Sequence, residues 1–444
     1  MNKLHLLIEK KLNYNSNYDV VKRIIHNDCV LYYLSSLVDF SYVNKLIEGK
    51  IIKKDSILNG CISSYQNFDK IINSVLSGCL LLIENEDFYI LETRNYPNRS
   101  INESESEKSL KGSHDGFCES ILVNTALIRR RIKDENFKCE LVSVGKLSKT
   151  DITINYMDNK VNHKLLSKIK RKINGLNIDS LVLADKSLSE LLFNQKYQVF
   201  PKVRFTERPD IASIHILKGY IVISVDTSSS VIIVPTTFFE LNEQLQEYHL
   251  PSTIATFNRL FRFFCLLIGL FLLPLWFLLS IMQYTPSKTI MIVTDISQNQ
   301  LFIQIISIQI FLSAIRLASI NTSSLFSSSM SLFASIIISG LAVETGILKA
   351  EVVFYAALSS ICCFAISNYE TSRAVSFWNL ILIISIGLFG KIGFIISSII
   401  LFLSIVTINN NYIYYLYPFI PFDFKELIKR IFKFPFDTKK DKNL

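Results

Sequence analysis

"FFCLLIGLFLLPLWFLLSIM", residues 263–282, is a run of twenty residues without a charge. As a helix rising about 1.5 Å per residue it reaches about 30 Å, the thickness of a bilayer's hydrocarbon core. It reads as a membrane-spanning helix that Pro274 is expected to bend. Before Arg262 the composition is that of a mixed soluble domain; after it, apolar runs follow one another almost to the C-terminus. The 444 residues are 50% hydrophobic, with a mean hydropathy of +0.32. The expected fold class is an α/β cytosolic N-terminal region of two small subdomains, followed by an all-α polytopic membrane domain. The expected divisions are 1–136 and 137–257 for the subdomains, 258–412 for the membrane domain and 413–444 for a basic amphipathic tail.

Toward the C-terminus the hydropathy divides into six spans, near 263–283, 301–319, 328–348, 351–368, 375–390 and 393–410. The last two are short and meet near Lys391, so they form either two spans or a re-entrant hairpin. "NNNYIYYLYPFIPF" (409–422) sets four tyrosines where an interfacial aromatic belt belongs. In the following "FDFKELIKRIFKF", Phe424, Leu427, Ile428 and Ile431 share one helix face, and Lys425, Lys429 and Lys433 share another. This pattern fits a helix lying on an anionic leaflet, with membrane lipids as partner; the alternative is a helix packed on the soluble domain. No cleavable signal pattern opens the chain, and seven Lys/Arg against four acids follow Pro421. Both termini are expected in the cytosol, which requires an even number of crossings.

Toward the N-terminus, residues 1–50 read as mainly helical through "YDVVKRIIHNDCVLYYLSSLV". "CLLLIENEDFYILET" (79–93) reads as two strands around an Asn-Glu turn. A helix is expected over 116–135, then strands at "CELVSVG" and "DITINYM", a basic helix near 161–174, and a strand at "SLVLAD" (180–185). "YIVISVDTSSSVIIVP" (220–235) reads as a hairpin.

The net charge of +9 and the consecutive Arg129, Arg130 and Arg131 raise the question of nucleic acid. With Ile121 at zero on a helical wheel, Thr125, Ile128 and Ile132 fall within about 40° of it. Arg129 and Arg131 flank that stripe at roughly 80° on either side, and Arg130 points away. A nucleic-acid-reading helix gathers its arginines on one face; these fan around the cylinder, and no nucleic-acid partner is expected. Asp115 is the expected N-cap and Glu119 lies in the first turn, with the arginines at the end favoured by the dipole. Glu103, Glu105 and Glu107 lie just upstream, and salt bridges from these acids are expected to orient the subdomains.

In "SLFASIIISGLAVETGILKAE" (331–351), Ser331, Ser335, Ser339, Ala342 and Gly346 recur every three or four residues, with Gly340, Glu344 and Glu351 beside them. Ser331, Ser335, Ser339, Glu344 and Glu351 are therefore candidates for an ion path; tight helix packing by the small face is the alternative. Arg316 is expected to snorkel to the surface or to pair with Glu370.

Five blocks carry a resemblance: 95–134, 208–240, "IRLASINTSS", "GLAVETGILKAEVVFY" and "YPFIPFDFKEL". Together they resemble the GerA-type A subunits of bacterial spore germination, closest to the sporulation branch of that family. The resemblance implies an inner-membrane protein of the dormant spore that forms a homo-oligomeric cation channel, works with other germination membrane subunits, and acts downstream of nutrient sensing. One departure concerns 301–320, where relatives often carry carboxylates and this chain has Gln309 and Ser313. A non-conducting scaffold that anchors partners is the competing reading. No enzymatic constellation is present: the six histidines are scattered, the eight cysteines lack metal spacing, and "VGKLSKT" lacks the upstream glycine of a phosphate loop. No catalytic, metal or cofactor residue, and no cofactor, is expected.

Overall fold

The computed structural model describes residues 2–26, 29–47, 68–84, 87–95, 112–193, 198–244, 247, 249–284, 293, 295–321, 337, 342–408 and 414–433. The chain forms two compact units. One comprises Met1–Tyr197 and Val203–Thr236 with Phe436–Leu444; the other comprises Gln198–Lys202 and Thr237–Pro435.

The first unit holds two antiparallel sheets. Strands β1 (Val20–His26), β2 (Cys29–Leu34), β3 (Leu80–Glu84) and β4 (Asp87–Leu91) pair in chain order, with α1 (Asn2–Lys11), α2 (Phe40–Ile47) and α3 (Phe68–Leu76) in the same region. The stretch expected to be helical is thus a hairpin, with Val20 opposite Leu34 and Arg23 opposite Leu31. The reason is burial on both faces. Val30, Tyr32 and Leu34 join the core with Ile8, Leu12 and Val75, while Cys29, Leu31 and Tyr33 join a second core with Val43 and Leu80. A strand covered twice loses the alternation that marks a half-buried one, so its apolar run passes for a helix.

The second sheet runs in the order β5 (Phe137–Val144), β6 (Thr150–Met157), β8 (Ile221–Val225), β9 (Val231–Val234) and β7 (Arg204–Thr206). Helices α4 (Ile121–Arg131), α5 (His163–Asn174), α6 (Ala184–Phe193) and α7 (Pro209–Leu217) belong to the same region. Asn162 caps α5, accepting from the amides of Lys164 and Leu165, and Leu165, Leu166, Ile169 and Ile173 are its buried face. "SLVLAD" is not a strand. Residues 178 and 179 accept from the amides of Lys146 and Leu147, Val182 and Leu183 are 80% and 69% exposed, and α6 begins at Ala184. Val182 and Leu183 therefore turn to solvent beside the 145–148 loop, while Leu181 and Ala184 are buried, and none of them enters the sheet.

The second unit is helical: α8 (Phe238–Leu241), α9 (Ser252–Ile281), α10 (Gln298–Asn321), α11 (Ala350–Phe364), α12 (Tyr369–Val406) and α13 (Phe424–Ile431). Among the described residues, α9, α10 and α12 are long and apolar enough to cross a membrane. The first span starts eleven residues before the apolar run. Pro274 cannot bond the carbonyl of Leu270, one turn back, and the Asn379 amide of α12 donates to it at 3.1 Å. Asn379 and Ser359 also serve the carbonyl of Gly269, where α9 and α11 approach so closely that a Cβ would meet Cys363. α11 has fifteen residues, about 22 Å of helix, short of a full crossing.

α12 breaks at Gly390, whose φ of 58° and ψ of −133° are not helical. Three residues later a Cβ on Gly393 would run into the carbonyl of Ser385, eight residues earlier. In a straight helix those residues stand about 12 Å apart. The chain therefore doubles back, and Val375 and Trp378 of the first arm join one core with Leu401 and Ile405 of the second. The last two expected spans thus lie antiparallel against each other. The expected third span, 328–348, lies largely outside the described residues, but its end is corrected: Glu344–Gly346 form a turn, with Gly346 at φ 74°.

Candidate functional site

Two assemblies of buried charge stand out, one in each unit. In the first unit, α4 lays Arg129 against the loop that enters β1. Its Nε and one terminal nitrogen donate to the two oxygens of Asp19 at 3.0 and 2.9 Å. Asp19 also accepts from the hydroxyl of Ser36, and the guanidinium lies over the ring of Phe137, 4.6 Å from its centroid. Both charged side chains are essentially sealed from solvent. Nearby, Tyr18 and Thr125 share a hydrogen bond, and the carbonyl of Cys139 accepts from the amide of Tyr18. Contacts from residues 17–19 thus bind the four-stranded sheet to α4 and the edge of the five-stranded one.

The other two arginines differ. Arg131 donates to both oxygens of Asp115 at 2.7 Å, to the Ser113 hydroxyl and to the carbonyl of Leu127. Burial acts to raise the Asp115 carboxyl, but the hydrogen bonds from Arg131 and Ser113 and the arginine's charge outweigh it, holding the group below the ordinary carboxylate range. Arg130 is exposed. Asp115 is therefore not the cap: the helix starts at Ile121, its N-cap is Ser120 without a side-chain bond, and Asp115 folds back to the far end. Glu119 is exposed, its carbonyl accepting from Thr227, while Glu103, Glu105 and Glu107 lie outside the described residues.

In the second unit the head of α9 is ringed by charge. Glu247, 1% exposed, accepts from Arg259 at 2.5 Å and from Arg262. Arg259 also donates to Glu243 at 3.0 Å and to the carbonyl of Arg430 at 3.1 Å. Arg430 in turn pairs with Glu240, whose other oxygen accepts from the amide of Thr237 in a capping box. Phe239, Asn242, Phe263 and Leu266 complete a cleft around these groups. Sequence reading missed this network. Its trace was there, however: carboxylates four apart at 243 and 247, and arginines three apart at 259 and 262, just before an apolar run.

Of the residues marked for an ion path, Ser331, Ser335 and Ser339 lie outside the described residues. Glu344 is exposed in its turn, and Glu351 is half-buried in the first turn of α11. The structure does not bring these two into a described constellation. Arg316 of α10 is 8% exposed; it donates to Ser376 and lies 4.1 Å from the ring centroid of Phe364. Lys425 and Lys429 are exposed on α13, whereas Lys433 follows the helix and donates to the carbonyls of Glu247 and Leu250. Among the described residues no group of three or more His, Cys, Asp or Glu is placed to hold a metal.

The family described as Bacillus/Clostridium GerA spore germination protein matches residues 7–444. The chain belongs to the GerA family. Stage V sporulation protein AF of Bacillus subtilis (strain 168) is 34% identical over 440 residues, covering 94% of this chain and 89% of that protein. Spore germination protein KA of the same strain is 24% identical over 456 residues, covering 97% and 84%. The crystal structure of the N-terminal domain of the A subunit of the Bacillus megaterium spore germinant receptor GerK3 aligns with a TM-score of 0.38 at 23% identity. It covers 53% of this chain and 94% of that one. This GerA-family chain is thus a membrane protein of a spore germination and sporulation family, with relatives named for those processes rather than for an enzymatic activity.

Proposed function

We propose that the protein is an oligomeric, channel-forming subunit of the spore inner membrane that releases monovalent cations during germination, downstream of nutrient sensing. The observation that carries this reading is the outward face of α10. Only 17% of its apolar window is buried within the chain, against 50% for α9 and 28% for α12. Its exposed positions beyond the first turn mix polar and apolar residues: Ile303, Ser307, Ile310, Ser313, Ala314, Leu317 and Ser319, with Gln300 exposed near the start. By contrast, α11 exposes Phe354, Ile361 and Phe364, and the second arm of α12 exposes Ile395, Ile399 and Phe402, faces suited to lipid. The Gln300 amide and the Ser307 and Ser313 hydroxyls turned to hydrocarbon leave hydrogen bonds unmet, so the α10 face favours water or a second copy of the chain. Copies arranged about an axis then line a path with hydroxyls, which suits a cation. In this reading Ser331, Ser335 and Ser339 extend the lining, and Glu344 and Glu351 supply carboxylates at its end.

The test is potassium efflux from liposomes holding the purified protein. Flux is expected, alone or with a co-purified membrane subunit, and Ser307→Leu with Ser313→Leu is expected to lower it at least fivefold. No flux under either condition would reject the channel and leave the scaffold reading.

A further inference from the structure

We infer that α13 and the residues after it form a detachable clamp on the head of the first membrane helix. No residue of α13 is buried, and Phe424 at its start is 61% exposed. Its apolar side chains thus have no core of their own, and the segment is held mainly through polar groups. Arg430 donates to Glu240, and the carbonyl of Arg430 accepts from Arg259. Past the helix end, the amide of Lys433 donates to the Thr256 hydroxyl at 3.1 Å, and its ammonium donates to the carbonyls of Glu247 and Leu250. The receiving side has the opposite character: Glu240, Glu247 and Arg259 are 2%, 1% and 8% exposed. A built socket therefore meets a lightly seated strap.

Two physical points make the strap detachable. On the strap side water reaches the contacts, the Arg430 side chain being 22% exposed, so a released strap is rehydrated at once. The Glu243 and Glu247 carboxylates left behind keep Arg259 and Arg262 beside them. The released helix also has somewhere to go: Phe424, Leu427, Ile428 and Ile431 with the exposed Lys425 and Lys429 make a short amphipathic surface suited to a bilayer interface. On release Arg259 loses a carbonyl and Glu240 a cation, and both belong to the network that fixes the start of α9. The clamp therefore governs how firmly α9 is held where it packs on α11 at Gly269. Its effect on ion passage rests on the channel reading; its docking does not.

The test is a disulfide across the 3.1 Å contact, Thr256→Cys with Lys433→Cys in the full chain in lipid nanodiscs. Oxidation is expected to form the bond and to slow amide exchange over 424–433 at least tenfold relative to the reduced form. In liposomes it is expected to lower potassium flux at least fivefold, reversibly, with Thr256→Cys alone insensitive to oxidant. In the otherwise unaltered chain, Arg430→Ala is expected to speed exchange over the same residues, and Lys425→Ala to leave it unchanged. Equal exchange in both redox states once the bond has formed, or unchanged exchange over 424–433 in Arg430→Ala, overturns the clamp. Changed exchange in a protein that passes no ions under any condition keeps the clamp and removes the channel.

Discussion

Arg129 in the α/β unit and Arg259 in the helical unit are both withdrawn from water, at 1% and 8% exposure, but they are satisfied in different ways. Arg129 has one carboxylate, Asp19, met edge to edge across 110 residues of chain. Arg259 divides its nitrogens among Glu247, Glu243 and a main-chain carbonyl. A one-to-one buried pair specifies a single arrangement, because removing either partner strands the other's charge. A shared network can lose one member and keep the rest compensated. The first suits a joint that stays closed, the second a junction that changes state.

The sharpest way to break this comparison is Asp19→Ala. It leaves the Arg129 charge buried and is expected to destabilise the α/β unit by about 3–5 kcal/mol. Urea unfolding of the detergent-solubilised chain, followed by amide exchange in β1 and α4, reads the effect; a loss under about 1 kcal/mol would dissolve the idea of a joint. Glu243→Ala in the other assembly is expected to cost less, about 1–2 kcal/mol, since Glu247 still holds Arg259. A larger loss than for Asp19→Ala would reverse the contrast.

Arg131→Ala, which removes a half-exposed pair, is expected to cost about 1–2 kcal/mol. Its partner supplies a pH signature. Because the folded Asp115 carboxyl titrates below the ordinary value, its contribution is complete above about pH 4 and is lost as the pH falls through the lower folded value. Stability measured from pH 5 downward is expected to fall below about pH 4, with a shallower fall in Asp115→Asn. Arg130→Ala, at an exposed position, is expected to change stability by about 0–1 kcal/mol. An order other than Asp19, then Arg131, then Arg130 would mean that burial does not rank these sites.

Part of this was legible in advance. The helical wheel separated Arg129, Arg130 and Arg131 onto different faces, and burial follows that separation. What it could not supply was Asp19, which stands 110 positions away in a stretch whose two-sided burial disguised a hairpin as a helix. The division between a mixed α/β region and apolar helices was plain from hydropathy, as was the pairing of β3 with β4, where a polar Asn-Glu pair separates two apolar runs. "SLVLAD" misled for the opposite reason: its apolar residues lie in a turn bound to another loop. The charged ring around α9 was overlooked because each member resembles an ordinary surface residue. Only Glu247's position between two arginines turns it into a buried hub.

The reversal at Gly390 also bears on topology mapping. A 38-residue helix looks like one long passage, but a chain that turns back at its middle returns to the face from which it left. In a bilayer Tyr369 and Thr407 are then expected on one side, with Lys391, exposed beside the bend, farthest from both. An impermeant reagent added from one side would label cysteines placed at 369 and 407 together or not at all. A cysteine at 391 would report how far across the bilayer the loop reaches.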